Sequence, residues 1–220
     1  MQRVPEPELM DAPAQARAYA EADFSEPNAL FVERALSHLD TTGSGRLLDL
    51  GCGPGDICLR FARSLPDWHI TGLDAGPNML ALANDALKAT GLGARVEFVL
   101  SQLPAHPFPH RFDAVVSNSL LHHLPDPMIL WEAVVELAAP GAFVQIMDLH
   151  RPPDHGTADA LVREHAAGEP EILRQDFYNS LLAAWTVEEV AEQLKQAGLD
   201  GLSLSRPSDR HWLLQGQVRR

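Results

Sequence analysis

Apolar and polar positions along this chain fall into blocks that predict strands and helices in turn. Arg46–Leu50 (RLLDL) is a short apolar run ended by glycine, the pattern of a strand buried on both faces of a parallel sheet. Asp56–Leu65 then turns Ile57, Leu59, Phe61, Ala62 and Leu65 mostly inward and predicts a helix. Trp68–Asp74 predicts a second strand, and Asn78–Thr90 a second helix closed by Gly91. Val96–Leu100 and Phe112–Asn118 predict the third and fourth strands. Met128–Leu137 carries the next helical face, with Asp126 placed to cap it, Pro127 in its first turn and Gly141 placed to end it. Ala142–Asp148 predicts the fifth strand. Strands alternating with helices of this length imply an α/β fold, a doubly wound and mostly parallel sheet with helices on both faces.

The alternation fails at both ends. Up to about Asp40 the chain reads as helix with polar punctuation, clearest over Asn28–Leu39, where Asn28 is placed as the cap. Between His150 and Trp185 a Pro-Pro turn and two charged helical stretches interrupt the pattern. This reads as an insertion beside the edge of the sheet where such folds bind ligands. Thr186-Val-Glu-Glu189 is a capping box for a helix running to Gly198. Leu202–Ser205 and Trp212–Gln217 close the chain as a strand pair, giving seven strands with the last antiparallel.

Composition narrows the partners. Of 220 residues 45% are hydrophobic, enough for a sizeable core, and the formal net charge of −13 repels a phosphate backbone, so no nucleic acid partner is expected. No apolar stretch is long enough to span a membrane, and the opening residues lack the character of a signal peptide, so a cytoplasmic protein without membrane attachment is expected. Cys52 and Cys58 share one strand-turn-helix segment at a spacing that suits no common zinc motif, and read as reduced thiols. No metal site is expected, because the adjacent His122 and His123 read as diverging side chains.

The strongest motif is Leu47-Leu-Asp-Leu-Gly-Cys-Gly-Pro-Gly-Asp56, a glycine-rich loop after a predicted strand and before a predicted helix. Gly51 and Gly53 allow a sharp turn and close backbone approach to a ligand. Asp74, ending the second strand, stands where an acidic residue accepts hydrogen bonds from ribose hydroxyls. A dinucleotide site expects a third glycine where this chain has Asp56, and a carboxylate there opposes a pyrophosphate at the helix start. Acid beside the loop, at Asp49, favours a cationic ligand such as S-adenosylmethionine, which carries an ammonium and a sulfonium.

With LLDLGCGPGD, GLDAGPNML, FDAVVSNSLLHHLPDP and GAFVQIMD in order from about Leu47 to Asp148, the chain resembles the class I S-adenosylmethionine-dependent methyltransferases, most closely their ubiquinone/menaquinone-biosynthesis-type branch. The resemblance implies a Rossmann-like fold and release of S-adenosylhomocysteine as product. It places Asp49, Gly51, Cys52 and Gly53 at the methionine part of the ligand, Asp74 on both ribose hydroxyls, Ala75 and Met79 at the adenine, and Asn118 along the site. Where the family often has an Asp for the adenine amino group this chain has Ser101 and Gln102, so the Gln102 carbonyl or the Leu103 backbone takes that place. Tyr19 and Phe24 are implied as a lid. One domain is expected: residues 1–42 as a helical cap, 43–149 as the ligand-binding core, 150–185 as the insertion, and 186–220 as the closing helix and strand pair.

Methyl transfer from a sulfonium depends mostly on alignment and needs a base only when the acceptor is protonated. His123, Asp148 and His150 are the candidates for that base, with His122 beside them, each weighed against an ordinary packing or turn role. The acceptor is expected to be a small molecule and the protein a monomer or homodimer. Two rival functions remain open at this point: a non-catalytic cofactor-binding subunit and a nicotinamide-dependent oxidoreductase.

Overall fold

A computed structural model describes residues 1–6 and 9–219; Pro7, Glu8 and Arg220 lie outside the described residues. The sheet contains β1 (Gly45–Leu50), β2 (Trp68–Asp74), β3 (Val96–Leu100), β4 (Phe112–Asn118), β5 (Ala138–Leu149), β6 (Ser203–Ser205) and β7 (His211–Gln217). Their order is β3-β2-β1-β4-β5-β7-β6, and β7 alone runs antiparallel to its neighbours. This is the doubly wound, mostly parallel sheet expected from the alternation. Chain order reverses between β1 and β4, so the carboxyl ends of these strands open a crevice.

Helices α1 (Pro13–Glu21), α2 (Ser25–Leu36), α3 (Asp56–Ser64) and α4 (Pro77–Lys88) precede β3; α5 (Met128–Leu137), α6 (His155–His165), α7 (Glu171–Ala183) and α8 (Val187–Ala197) follow β4. Successive residues of a strand face opposite ways, and here that splits the core in two. Leu48, Leu50 and Val115 pack with Trp131 of α5 and Leu194 of α8. Leu47, Ala114 and Val116 pack with Phe31 of α2 and Phe61 of α3 on the other face. A smaller cluster around Leu149, Leu161 and Leu181 lies under the inserted α6 and α7.

Several local expectations change. Helix α2 starts at Ser25 and ends at Leu36, and Asn28 does not cap it; the Asp23 carboxylate accepts from the Ser25 amide at 3.0 Å instead. Asn28 faces α3, where its amide donates to Asp56 at 2.9 Å. Gly141 does not end α5: that helix stops at Leu137, and β5 runs on through Gly141, whose φ of +80° accompanies a register shift against β4. Asp126 does meet the start of α5, accepting from the Met128 amide at 2.9 Å. The capping box at Thr186 and Glu189 is formed as the sequence implies.

Candidate active site

Three backbone turns at the carboxyl ends of β1, β2 and β4 build a pocket. The amides of Gly51 and Cys52 donate to the Leu73 carbonyl at 2.8 and 3.0 Å, tying the glycine loop to the end of β2. Gly51 takes φ +72°, and a Cβ there would lie 2.9 Å from the Leu120 side chain. At Gly53, φ +52°, nothing lies within 4 Å of a Cβ position, so the missing side chain leaves open space beside the loop.

Asp74 is held from both sides. Its Oδ2 accepts from the Gly53 amide at 2.8 Å and its Oδ1 from the Gly76 amide at 2.7 Å. Each oxygen keeps a second lone pair, so the carboxylate is fixed in direction without being used up. Burial nevertheless raises its pKa, with the neighbouring Asp11 adding to the shift and the amides opposing it. Asp49 lies beneath the loop, accepting from the Cys58 thiol at 3.2 Å. Burial pushes its pKa up to about 7. Burial and the Asp74, Asp148 and Asp49 carboxylates push the Tyr19 phenol to about 12, so it stays protonated among three acids.

Ala75, Met79, Ser101, Gln102, Leu103, Asn118 and His123 line this pocket with Asp74, Gly51, Gly53 and Tyr19. Asp49 and Cys52 line an adjoining cleft on the far side of Tyr19, with Phe24 and Asn28. Tyr19 and Asn118 border both spaces, and Tyr19 packs on Phe24 with ring centroids 4.8 Å apart. The buried Asn118 Oδ1 has no hydrogen-bond partner among the described residues. An acceptor left unpaired in this way is what a ligand N–H would satisfy.

Sequence reasoning missed the roof. Leu9 and Met10 cover the pocket, and Asp11 anchors them by accepting from the Asn78 and Met79 amides at 2.9 and 3.1 Å, the capping bonds of α4. A Cβ on Gly76 would meet the Asp11 carboxylate at 2.6 Å, so glycine makes room for this remote cap. The available signal was the adjacent apolar pair Leu9-Met10 in an opening rich in proline and charge. Ser119 also lines the pocket, in a left-handed conformation (φ +60°) uncommon for a side-chain-bearing residue.

Two of the three candidate bases lie elsewhere. Asp148 does not line the pocket: its Oδ1 is 2.5 Å from His122 Nδ1, and its Oδ2 accepts from the His122 amide at 3.1 Å. Burial alone would raise its pKa, but the His122 charge and these bonds hold it below the usual carboxylate value. His122 is likewise lowered by burial yet raised more by Asp148, then Glu6, ending above its ordinary value. His150 is also outside the pocket. It bridges to Trp185 and donates its amide to the Arg210 carbonyl at 2.7 Å, and burial, with Arg206, lowers its pKa. The strand end turns these two residues toward the insertion and the closing hairpin, and only His123 reaches the pocket wall.

The two histidines do not diverge as adjacent residues were expected to. They sit on a 3₁₀ turn (Leu121–His123) with ring centroids 4.2 Å apart, and both approach the Glu6 carboxylate. In the insertion, Asp176 accepts from Gln15, Tyr178 meets His155 at 2.9 Å and Asn179 accepts from Gln175, so that segment joins elements together and does not line the pocket.

Residues 47–141 match the family model described as "Methyltransferase domain". Over that stretch the chain is similar to methyltransferases, and the match covers the glycine loop, Asp74 and Asn118. It is 37% identical over 110 residues to a ubiquinone biosynthesis O-methyltransferase of Pseudoalteromonas translucida, covering 48% of this chain and 44% of the relative. A ubiquinone biosynthesis O-methyltransferase of Vibrio cholerae is 34% identical over 108 residues, covering 48% and 42%. The chain therefore spans about half or less of the length of the curated relatives it matches. Among solved structures, a SAM-dependent methyltransferase from Aquifex aeolicus superposes with a TM-score of 0.68 at 17% identity, covering 94% of this chain and 98% of that one. The plantazolicin methyltransferase BpumL, in complex with a substrate analogue and SAH, gives 0.67 at 14% identity, covering 94% and 89%. At these identities the two structures bear on the fold, and they agree with the sheet described above.

Proposed function

We propose that this protein transfers the methyl group of S-adenosylmethionine to a small-molecule acceptor and releases S-adenosylhomocysteine. The observation that carries the reading is Asp74, a carboxylate aimed by two backbone amides into a pocket that also contains the unpaired Asn118 Oδ1. Asp74 accepts from the ribose hydroxyls, while Met79 and Leu103 supply apolar surface for the base. Asp49, once ionised, and the unpaired Asn118 Oδ1 offer the cationic end a negative charge and an acceptor. Asp56, engaged by Arg60 at 2.6 Å and by Asn28, fills the start of α3 with a carboxylate and disfavours a pyrophosphate.

The ligand supplies a methyl carbon bonded to a sulfonium, and sulfur keeps the electron pair when that bond breaks. The chain's part is to hold the acceptor in line and exclude water. Tyr19, Leu9 and Met10 close the pocket, and His123 is the one candidate base on its wall. The insertion stands behind this wall, its α7 packed on the 3₁₀ turn that carries His123. The ubiquinone relatives suggest an acceptor oxygen. The net charge of −13 favours a small molecule over nucleic acid. No helix among the described residues is long and apolar enough to cross a membrane.

Calorimetric titration with S-adenosylmethionine, S-adenosylhomocysteine and NADPH tests the reading. Binding of the first two and not the third is expected; binding of NADPH alone overturns it. Release of S-adenosylhomocysteine in the presence of phenolic and other small acceptors then separates an enzyme from a non-catalytic binding subunit.

A further inference from the structure

Beside the pocket, outside the groups assigned to the methyl donor, three side chains converge from two distant segments. Glu6 Oε1 lies 3.4 Å from His122 Nε2 and 3.3 Å from His123 Nδ1, and all three ligand-type atoms lie within 4.8 Å of one another. Tetrahedral zinc with bonds of about 2.0–2.1 Å to nitrogen and oxygen sets neighbouring ligand atoms about 3.3–3.4 Å apart. Both separations from Glu6 match that edge.

The surroundings carry the same signature. Asp148 takes His122 Nδ1 at 2.5 Å, which directs the lone pair of Nε2 toward Glu6 when the ring is neutral. A carboxylate behind an imidazole in this way fixes its tautomer and raises its basicity as a metal ligand. Two acceptors, the imidazole nitrogen and the Glu6 oxygen, then face each other across 3.4 Å, an arrangement that a cation between them resolves. Ser180 Oγ donates to Glu6 Oε1 at 3.0 Å and positions the carboxylate. The neighbouring cation, Arg3, is spent elsewhere: it donates to the carbonyls of Ala183, His122 and Leu124 and stacks over Trp185 at 4.2 Å.

We propose that Glu6, His122 and His123 form a binding site for one divalent cation of tetrahedral preference, zinc, with Asp148 supporting His122 and the fourth position open toward the pocket. His123 belongs to both the cluster and the pocket wall, so a cation held there has access to the acceptor. An oxygen acceptor bound at the open position loses its proton to solvent more readily, as zinc-bound water does; its oxygen then bonds the methyl carbon as the carbon–sulfur bond breaks, and His123 serves as a ligand instead of a base. That role rests on the methyl-transfer reading; the site itself rests on the side-chain geometry alone. A second group, Glu164, His165 and Asp209, is exposed, and its imidazole already faces the Arg210 guanidinium at 3.0 Å, which opposes a cation there.

The test is titration of the metal-freed, full-length protein with Zn²⁺ alone, read by calorimetry and elemental analysis. One equivalent is expected in the wild type and in His165→Ala. Glu6→Gln and His123→Ala, in two separate segments, are each expected to bind at least roughly tenfold more weakly, and Asp148→Asn about 10–100-fold. Substituted Co²⁺ is expected to give the strong visible absorption of a four-coordinate site in the wild type and to lose it in His123→Ala. No stoichiometric binding by the wild type, meaning that a proton alone bridges His122 and Glu6, overturns the proposal. So does binding that survives both Glu6→Gln and His123→Ala, or that disappears in His165→Ala. S-adenosylmethionine affinity is measured on the same metal-free samples: intact affinity without zinc binding sinks the metal site and spares the methyl-transfer reading, whereas loss of that affinity sinks the latter by itself.

Discussion

The two halves of the candidate site, the pocket with its glycine loop and the histidine cluster beside it, are built by opposite means. The half holding Asp49, Gly51, Gly53 and Asp74 comes from one strand–helix–strand unit, and backbone amides orient it. The half holding Glu6, His122, His123 and Asp148 is assembled from side chains far apart in sequence. Its Ser180–Glu6 bond spans 174 residues and its Arg3–His122 bond 119. The first half is fixed when its strands pair. The second exists only once the N-terminal segment has crossed the pocket and docked on the insertion. The glycine-loop half thus depends on pairing between neighbouring elements, and the histidine half on contacts that span most of the chain.

The sharpest way to break the comparison is through Asp49, a cost built into the local half. A carboxyl whose folded pKa is raised above its unfolded value loses stability as pH rises from the unfolded value toward the folded one, here about 7, and stays destabilised above it. The wild type is expected to lose up to about 4 kcal/mol over that window through this group, about 1.4 kcal/mol per pH unit midway. Urea unfolding from pH 5 to 8 should show that slope flattened in Asp49→Asn. Cofactor affinity should rise as pH passes about 7, because a cationic ligand selects ionised Asp49.

Asp74→Ala comes next. Losing charge-assisted bonds to two hydroxyls should weaken S-adenosylmethionine binding by about 3 kcal/mol, roughly a hundredfold, read by calorimetry on a variant shown to be folded. Unchanged affinity in the folded variant removes Asp74 from the site.

Arg3→Ala probes the remote half. It removes three bonds to carbonyls and the stacking on Trp185, and is expected to cost about 1–3 kcal/mol of stability. The first dozen residues should become sensitive to limited proteolysis while Asp74 keeps its place. A variant that loses cofactor affinity as fully as Asp74→Ala would show that the halves are one unit.

The smallest effect serves as the control. Thr186→Ala removes one side of the α8 capping box and should cost about 1 kcal/mol with cofactor affinity unchanged.

Legibility follows the same division. The glycine loop, Asp74 and the alternation of strands and helices were readable because each depends on neighbours close in sequence: a turn needs glycine where φ is positive, and a strand needs its period. The Thr186–Glu189 box was readable for that reason as well. Where a distant partner competes, local reading failed. Asn28 looked like a cap but bonds to Asp56 across 28 positions. Gly141 looked like a helix stop but lies inside β5, where pairing with β4 extends the strand back to Ala138. Asp148 and His150 were placed at the ligand edge from their position on a strand end; which way they turn was decided by His122 and by the closing hairpin.

The sequence by itself determined the sheet, the order of its helices and the loop at the carboxyl ends of the first two strands, because backbone periodicity and glycine conformations are local properties. Only the tertiary structure decided that Leu9 and Met10 roof the pocket, that Asp11 caps a helix it does not belong to, and that two adjacent histidines converge on Glu6. Those arrangements depend on which surfaces meet after the chain has folded, and burial, by removing water from Asp49, Asp74 and Glu6, then sets their chemistry.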